Sequence, residues 1–516
     1  MNQSTSAWRA WPGRLLSGDK AAVVWRRQLL QATAARPWWL AAGAVLLAGG
    51  AAAGLHAPTP GFDFWHLANA ELIWRHGVGG MASYLARPRT ALDLRTWLAD
   101  LLLLLIYKVG GLGGLQAAGA VAGAAVGLLL LLAIRFEGRA RPLAVVVAGA
   151  LGLLALAPVL TDLPAEVLAL LAAALLLALT AVSRGSRWGT GFLVVLLAVW
   201  TNTQADAFVA VLVIWGWLVV AHWDAARPGR PGAPSWWLIP LTAVAVLLSP
   251  RGIGTIADLP LSLGMRGESP LLVAWSSIDF HPWSARLAEL AGLLLLFCYW
   301  LAGSRLRRAD AYLGLVTATM ALLWTNYLPW FLVVGVAQTA CYLSEGLLDR
   351  GGGIAAGAPP PAGWPLGRRI RAASAIPLLL TMLVLAYGIG SAARDGGVEA
   401  RTSAQLPVQA VSWLRAHPIR GAWFTTPSFG DYLSARFPSG GHLLCVDDPL
   451  DMAGTPLAQC QELTVLNAGA MAVLRWLDAR LAVLPRSAAQ ATFLLAQGWE
   501  IRYRDATTVI LAPRRL

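Results

Sequence analysis

Apolar residues in this chain arrive in long uninterrupted blocks rather than at every second position. Trp38–Leu55, Leu112–Ile134 and Ser374–Ala393 are the clearest. Blocks of about 18 or more apolar residues read as bilayer-crossing helices, and the alternation of barrel strands is missing from them. Further blocks cover Pro142–Leu160, Pro164–Val182, Trp188–Asn202, Ala205–Trp223, Ser235–Pro250, Leu287–Gly303, Ala311–Tyr327 and Pro329–Leu347, which makes eleven expected spans. Trp97–Val109 stands apart. It is apolar but short and holds Asp100 and Lys108, so it predicts a helix lying along the membrane surface. Beyond about residue 400 helix-like and strand-like segments alternate. Val408–His417, Gly430–Phe437 and Ala488–Gln497 read as helices, and Gly421–Thr425 and His442–Val446 as strands. Ile501–Arg504 and Thr508–Ala512 read as a closing hairpin. The expected fold is mainly α: a polytopic membrane helix bundle of about eleven spans with a small C-terminal α/β soluble domain.

Composition agrees, and charge adds a direction. Of 516 residues 57% are hydrophobic and 13% charged, with mean hydropathy +0.60; a soluble domain carries about 25% charged residues. The net charge of +13 is not read as a nucleic-acid footprint, because the arginines sit in short loops between apolar blocks, as the positive-inside rule describes. Residues 1–37 form a basic amphipathic segment expected on the cytoplasmic face, where Ala21–Ala35 mixes Trp25 and leucines with arginines. Eleven spans place Arg135/Arg139/Arg141, Arg184/Arg187, Arg227/Arg230, Arg305/Arg307/Arg308 and Arg350/Arg368/Arg369/Arg371 on that side. Counting Trp97–Val109 as a span would invert the later loops. The membrane domain then covers 38–393 with outer loops 56–111 and 251–286, and residues 394–516 form an extracytoplasmic domain. Gly351–Gly367 reads as a flexible cytoplasmic linker. The first apolar run begins near Trp38 without an A-x-A exit, so no cleavable signal peptide is predicted. A multi-pass bacterial cytoplasmic-membrane protein with membrane lipids as neighbours is the expected setting. Cys298 and Cys341 fall in spans as small core residues. Cys445 and Cys460 fall in the tail, where an oxidising compartment permits a disulfide.

Candidate chemistry follows the first span, in Gly61-Phe-Asp-Phe-Trp-His-Leu67 with Glu71 and His76 beyond. On a helix Asp63 and His66 share a face. A carboxylate beside an imidazole serves as a general base, or with further ligands holds a divalent metal. Trp65 suits either a sugar ring or the lipid headgroups. The same residues equally suit a capping Asp followed by an interfacial aromatic belt. Asp162 and Glu166 form a second acidic group at an outer end, where Thr161-Asp-Leu-Pro164 also reads as a plain helix start. Arg251 opens the later outer loop, and its planar cation suits phosphate oxygens. Walker A, GxGxxG, HExxH, CxxC and GxSxG patterns are missing.

The run Asp63-Phe-Trp-His-Leu-Ala-Asn-Ala-Glu-Leu-Ile-Trp-Arg-His-Gly77 resembles the D-x-W-W-H-L-x-x-G-x-x-I-x-x-x-G signature of bacterial membrane proteins related to the GT-C glycosyltransferases. The resemblance continues in order through Trp97-Leu98, Gly110-Gly111, Trp200-Thr-Asn-Thr203, Ser249-Pro-Arg-Gly252, Phe429-Gly-Asp-Tyr-Leu433 and Cys445-Val-Asp-Asp448. It implies a GT-C-like bundle and inverting transfer of a sugar from a polyprenyl-phosphate donor to an acceptor on the outer face. It also implies Asp63 as base, His66 as its neighbour and Asp162 as second acid. Trp65, Glu166, Asn202 and Arg251 become substrate-binding candidates, Arg251 at the lipid phosphate. Donor sugar, acceptor and cofactor are not named by the sequence; a divalent metal is the one cofactor class the residues suggest. Several positions depart from the pattern: Gln204-Ala205 replaces His-Gly, Ala274-Trp275 replaces Glu-Trp, and Asp447-Asp448-Pro449 replaces Asp-Gly-Arg. These departures support an alternative, a non-catalytic GT-C-like scaffold that binds a partner. A transporter fits less well, because ionisable residues gather at outer span ends rather than mid-membrane.

Overall fold

The computed structural model describes residues 36–55, 62–79, 93–160, 163–226, 233–257, 259, 277–348, 405–438, 443, 445, 460, 462–466 and 469–514. The basic segment up to residue 35, Asp162, the Gly/Ala/Pro-rich linker and the expected span Ser374–Ala393 lie outside the described residues. The apolar blocks fold as helices: α1 Arg36–Ala53, α2 Phe62–His76, α3 Trp97–Glu137, α4 Pro142–Leu156, α5 Leu163–Ser183, α6 Arg187–Trp200, α7 Ala207–Ala225, α8 Leu238–Val246, α9 Trp283–Ala302, α10 Arg308–Leu323 and α11 Leu328–Leu343. Among the described residues, five helical stretches are long and apolar enough to cross a membrane: Trp97–Glu137, Ala165–Ser183, Ala207–Ala225, Ala285–Arg305 and Thr325–Gly346. The chain is a multi-pass membrane protein. Helices α1, α4 and α6 are apolar but shorter. The block read as a span over Ser235–Pro250 is helical only over the 9 residues of α8, which at about 1.5 Å each fall well short of a bilayer core.

Helix α3 carries the Trp97–Val109 segment as its first part. Its 41 residues would reach ~60 Å if straight, about twice the hydrocarbon thickness. It breaks at Gly111, whose φ of 59° and ψ of −151° lie where a side chain is strained. Before the break Leu102, Leu105 and Val109 form an exposed apolar stripe, while Asp100, Leu103 and Leu104 are buried on the other side. That is the face division of an interfacial helix. After the break α3 packs against α1 so closely that a Cβ on Gly50 or Gly54 would strike the carbonyls of Gly123 or Gly119, the small-residue contact common between membrane helices.

The arginine-bearing helix ends meet on one face of the bundle. Arg139 reaches Glu345 at 2.6 Å, Asp310 at 2.9 Å and Glu137 at 3.3 Å, and Arg307 reaches Glu137 at 2.5 Å. Arg184 donates to the Glu137 carbonyl, Arg305 to that of Glu345, and Asp224 accepts from the Ala309 N–H. The ends of α3, α5, α7, α9 and α11 therefore gather together, as a shared side for these basic loops requires. Exposed Trp188, Trp223, Trp236 and Trp237 ring the same end, as an aromatic belt does.

A second hydrophobic core lies beyond the bundle and unites α2, the surface half of α3 and the tail. The tail elements are α12 Val408–Ala416, β1 Ala422–Thr425, α13 Pro427–Arg436, α14 Ala470–Trp476, β2 Ala479–Pro485, α15 Ala489–Ala496, β3 Trp499–Arg504 and β4 Thr508–Pro513. The sheet order is β1-β2-β4-β3, with β1 and β2 parallel and the other pairs antiparallel. The expected closing hairpin is β3–β4. Strand β2 and helix α14 are additions to the expected elements. Of the segment read as a strand over His442–Val446, the described part pairs only through a parallel bridge from Leu443 to Trp423. Helix α13 starts at Pro427, three residues before the expected start at Gly430, because a first-turn proline is compatible with a helix.

The Phe429–Leu433 motif lies on α13 and fastens the tail to α2. Tyr432 meets Phe64 edge-on at 5.0 Å, and Arg436 donates to the Tyr107 hydroxyl at 3.1 Å. Gly430 lies against the Cys445 carbonyl with no room for a Cβ, and Thr425 Oγ1 donates to that carbonyl at 2.7 Å. Cys445 and Cys460 form a disulfide beneath this contact.

Candidate active site

Helix α2 and the surface half of α3 enclose one buried polar cluster. His66 and Asn69 lie one turn apart on α2, so both reach Asp100 across the helix interface. His66 Nδ1 is 2.5 Å from Asp100 Oδ1, Asn69 Nδ2 donates to Asp100 Oδ2 at 2.7 Å, and Thr96 Oγ1 donates to the same oxygen at 3.1 Å. Asn69 Nδ2 also donates to the Asp93 carbonyl at 2.8 Å, which fixes the chain just before α3. Asp100 and Asn69 are fully buried, and Asn69 Oδ1 accepts no hydrogen bond among the described residues. Burial pushes the Asp100 carboxyl upward, while the His66 charge and the His66 and Asn69 hydrogen bonds pull against it. With Nδ1–H given to Asp100, the lone pair of a neutral His66 sits on Nε2. A carboxylate that orients an imidazole in this way stabilises the imidazolium form when the ring takes a proton.

The other sequence candidates distribute around this cluster. Asp63 is the second residue of α2, one turn before His66; its side chain lies outside the described residues. Trp65 is buried and stands edge-on to the His66 ring at 4.7 Å, rather than open to headgroups. One turn before Asp100, Trp97 Nε1 donates to Asn202 Oδ1 at 2.7 Å. Asn202 Nδ2 donates to the carbonyls of Ala198 at 2.7 Å and Leu248 at 2.8 Å. Leu248 leads directly into Ser249-Pro250-Arg251. Asn202 thus clasps the surface helix to the loop that carries Arg251. The Trp200–Asp206 turn that presents it is braced by Trp200 Nε1 donating to Asp206 Oδ1 at 2.9 Å. Glu166 is buried on α5, with its carboxylate against Gly119 of α3. His66, Asn202 and Arg251 are therefore linked through one helix, and Glu166 lies deeper along the same one.

Asp100 and Asn69 were absent from the sequence candidates. A signal existed: an Asp inside an apolar run needs a buried partner or water, and Asp100 had argued only against a span. The expected i,i+3 pairing with Asp63 lies outside the described residues; the described partner of His66 comes from 34 residues away. Among the described residues, no group of three or more His, Cys, Asp or Glu side chains is arranged to hold a metal ion.

Comparison with solved structures bears on the fold. The chain superimposes on the arabinofuranosyltransferase AftD from Mycobacteria with a TM-score of 0.51 at 16% identity, covering 93% of this chain and 40% of that one. An oligosaccharyltransferase of Archaeoglobus fulgidus, solved tethered to an acceptor peptide, matches with a TM-score of 0.51 at 12% identity, covering 93% of this chain and 74% of the other. The fold is GT-C-like. No family model matches the sequence, and no curated protein does. The likeness in fold covers most of this chain, which spans only about 40% of the length of AftD.

Proposed function

We propose that the protein transfers a sugar from a polyprenyl-phosphate-linked donor to an acceptor at the face that carries α2. The observation that carries this reading is the buried His66–Asp100–Asn69 cluster on the helix that bears Asp63, within a GT-C-like fold. Asp63 takes the proton of the acceptor hydroxyl as that oxygen bonds to the anomeric carbon. The bond to the polyprenyl phosphate breaks from the opposite side, so the sugar inverts. Arg251 holds the departing phosphate, because a guanidinium matches two phosphate oxygens. Asp162 and Glu166 are the further acidic candidates on this reading. His66, held by Asp100, sets the charge and orientation of the groups around Asp63 and accepts a proton when the base is regenerated. The lipid-linked donor and outer-face acceptor rest on the sequence resemblance; the fold supports the general type of chemistry.

The test is Asp63→Asn in the full-length purified chain, assayed with a polyprenyl-linked sugar. Turnover is expected to fall by about 10³-fold or more, within the range for loss of a positioned general base, at unchanged yield and melting temperature. Full turnover in that variant would overturn the assignment. A second reading, a non-catalytic scaffold, is supported by Asn202 and Trp65, whose polar or aromatic groups are engaged within the protein. Stable co-purification with a partner and no turnover in the unaltered chain would favour it.

A further inference from the structure

A small cleft of about 80 Å³ opens at the arginine-rich end of the bundle, away from the His66 cluster. Leu179 of α5, Trp217 of α7 and Leu313 of α10 give it an apolar wall, and Glu137, Arg139, Asp224, Arg307 and Asp310 line its charged side, with Glu137 and Asp310 paired to Arg139. Exposed Trp223, Trp236 and Trp237 mark this end as the level of lipid headgroups. Arg139 is occupied by its three carboxylates. Arg307 and Asp224 are not fully used. Arg307 directs one guanidinium nitrogen to Glu137, and its other nitrogens make no bond among the described residues. Asp224 is 5% exposed. Its Oδ2 accepts from the Ala309 N–H at 2.9 Å, while its Oδ1 accepts no hydrogen bond among the described residues. A buried carboxylate oxygen without a donor is costly. Because Ala309 is two residues from Arg307, a spare cationic donor and a spare anionic acceptor face one cleft close together.

We propose that this cleft seats the headgroup of a zwitterionic phospholipid with a primary amine, its phosphate toward Arg307 and its ammonium toward Asp224 Oδ1. A primary ammonium brings three N–H donors, which a choline headgroup lacks and a glycerol headgroup replaces with weaker hydroxyls. The apolar wall continues into the span surface and takes the acyl chain. The site is independent of the transfer chemistry at the opposite end.

The full chain is purified in detergent, and lipid retention is read by native mass spectrometry after mixing with equal amounts of phosphatidylethanolamine, phosphatidylcholine and phosphatidylglycerol. One retained phosphatidylethanolamine and a melting temperature raised by that lipid are the expected results. Asp224→Asn keeps an oxygen for the Ala309 N–H, so the fold persists, and should lower the preference for the amine lipid about tenfold, as loss of a charged hydrogen bond does. Arg307→Gln should weaken phosphatidylethanolamine and phosphatidylglycerol together. Equal retention of the three lipids, or an unchanged preference in Asp224→Asn, overturns the proposal. Binding of soluble phosphoethanolamine with no lipid retained overturns the lipid as its source.

Discussion

Charged side chains are buried at both ends of the helix bundle, in two different ways. At the arginine-rich end Arg139 meets Glu137, Asp310 and Glu345, and the Tyr342 ring lies under its guanidinium at 4.5 Å. Arginine stays protonated at any working pH, so this network has one charge state and serves to hold helix ends together. At the other end Asp100 is met by a histidine, an amide and a hydroxyl. Those partners form a network that can take up or give up a proton, because imidazole is a base as well as a donor. Helix α11 runs between the two ends, with Trp330 packed on Trp200 and Tyr342 packed under Arg139. The same scaffold thus carries one fixed ion network and one titratable one. Only the titratable one lies beside the residues that the sequence marks for proton transfer.

The comparison breaks most sharply at Asp100. Asp100→Asn keeps an acceptor for His66 Nδ1–H but removes the charge that favours imidazolium. Turnover should fall about hundredfold, with a change in the pH–rate profile and little loss of fold. Asp100→Ala removes all three hydrogen bonds and should destabilise the protein by about 3–5 kcal/mol, as breaking a buried pair does. If both variants lose the same stability and the pH–rate profile is unmoved, the cluster is a staple like the one at the other end. Arg139→Met tests the converse. It leaves Asp310 and Glu345 without this cation, while Glu137 keeps Arg307, and because these groups are partly exposed it should cost about 1–3 kcal/mol in thermal or denaturant unfolding. Turnover per folded molecule should be unchanged, because the network lies at the far end of α11. Loss of activity in a folded Arg139→Met protein would show that the two ends are coupled.

Much of this architecture was legible because membrane-span signals are local. Apolar length and arginine placement are written into contiguous sequence, and the described basic helix ends around Arg139, Arg184, Arg305 and Arg307 do lie together. The break in α3 was legible too: Gly110-Gly111 ends the apolar run that holds Asp100 and Lys108. The His66–Asp100 and Asn202–Leu248 contacts were not legible, since each joins residues 34 or 46 positions apart that carry no shared periodic signal. Strand β2 was missed for a related reason. Ala479–Pro485 is an apolar run buried between two neighbours, and such runs do not alternate. The Phe429–Leu433 motif was seen, but its role in docking depends on a Cys445 carbonyl with no local trace.

The smallest expected effect compares two clasps between the same helices. Besides the buried His66–Asp100 pair, α2 and α3 are joined by Glu71, which pairs with Lys108 at 3.2 Å and with Arg75 at 2.7 Å. Desolvation pushes the Glu71 carboxyl up, but the hydrogen bonds and charges of Arg75 and Lys108 outweigh it and hold the group below its ordinary 4.5. A lowered folded pKa means that the clasp contributes fully above about pH 4.5 and is lost as pH falls through the folded value. Both cations are about half exposed, so water and salt screen the interaction and Glu71→Gln should cost under about 1 kcal/mol. Unfolding of the unaltered chain and of Glu71→Gln, compared at neutral pH and near pH 3.5 in low and high salt, checks this. The difference should be larger at neutral pH than near pH 3.5 and should shrink with salt. A loss as large as that of Asp100→Ala would mean that the exposed clasp, rather than the buried one, holds the surface helix to α2.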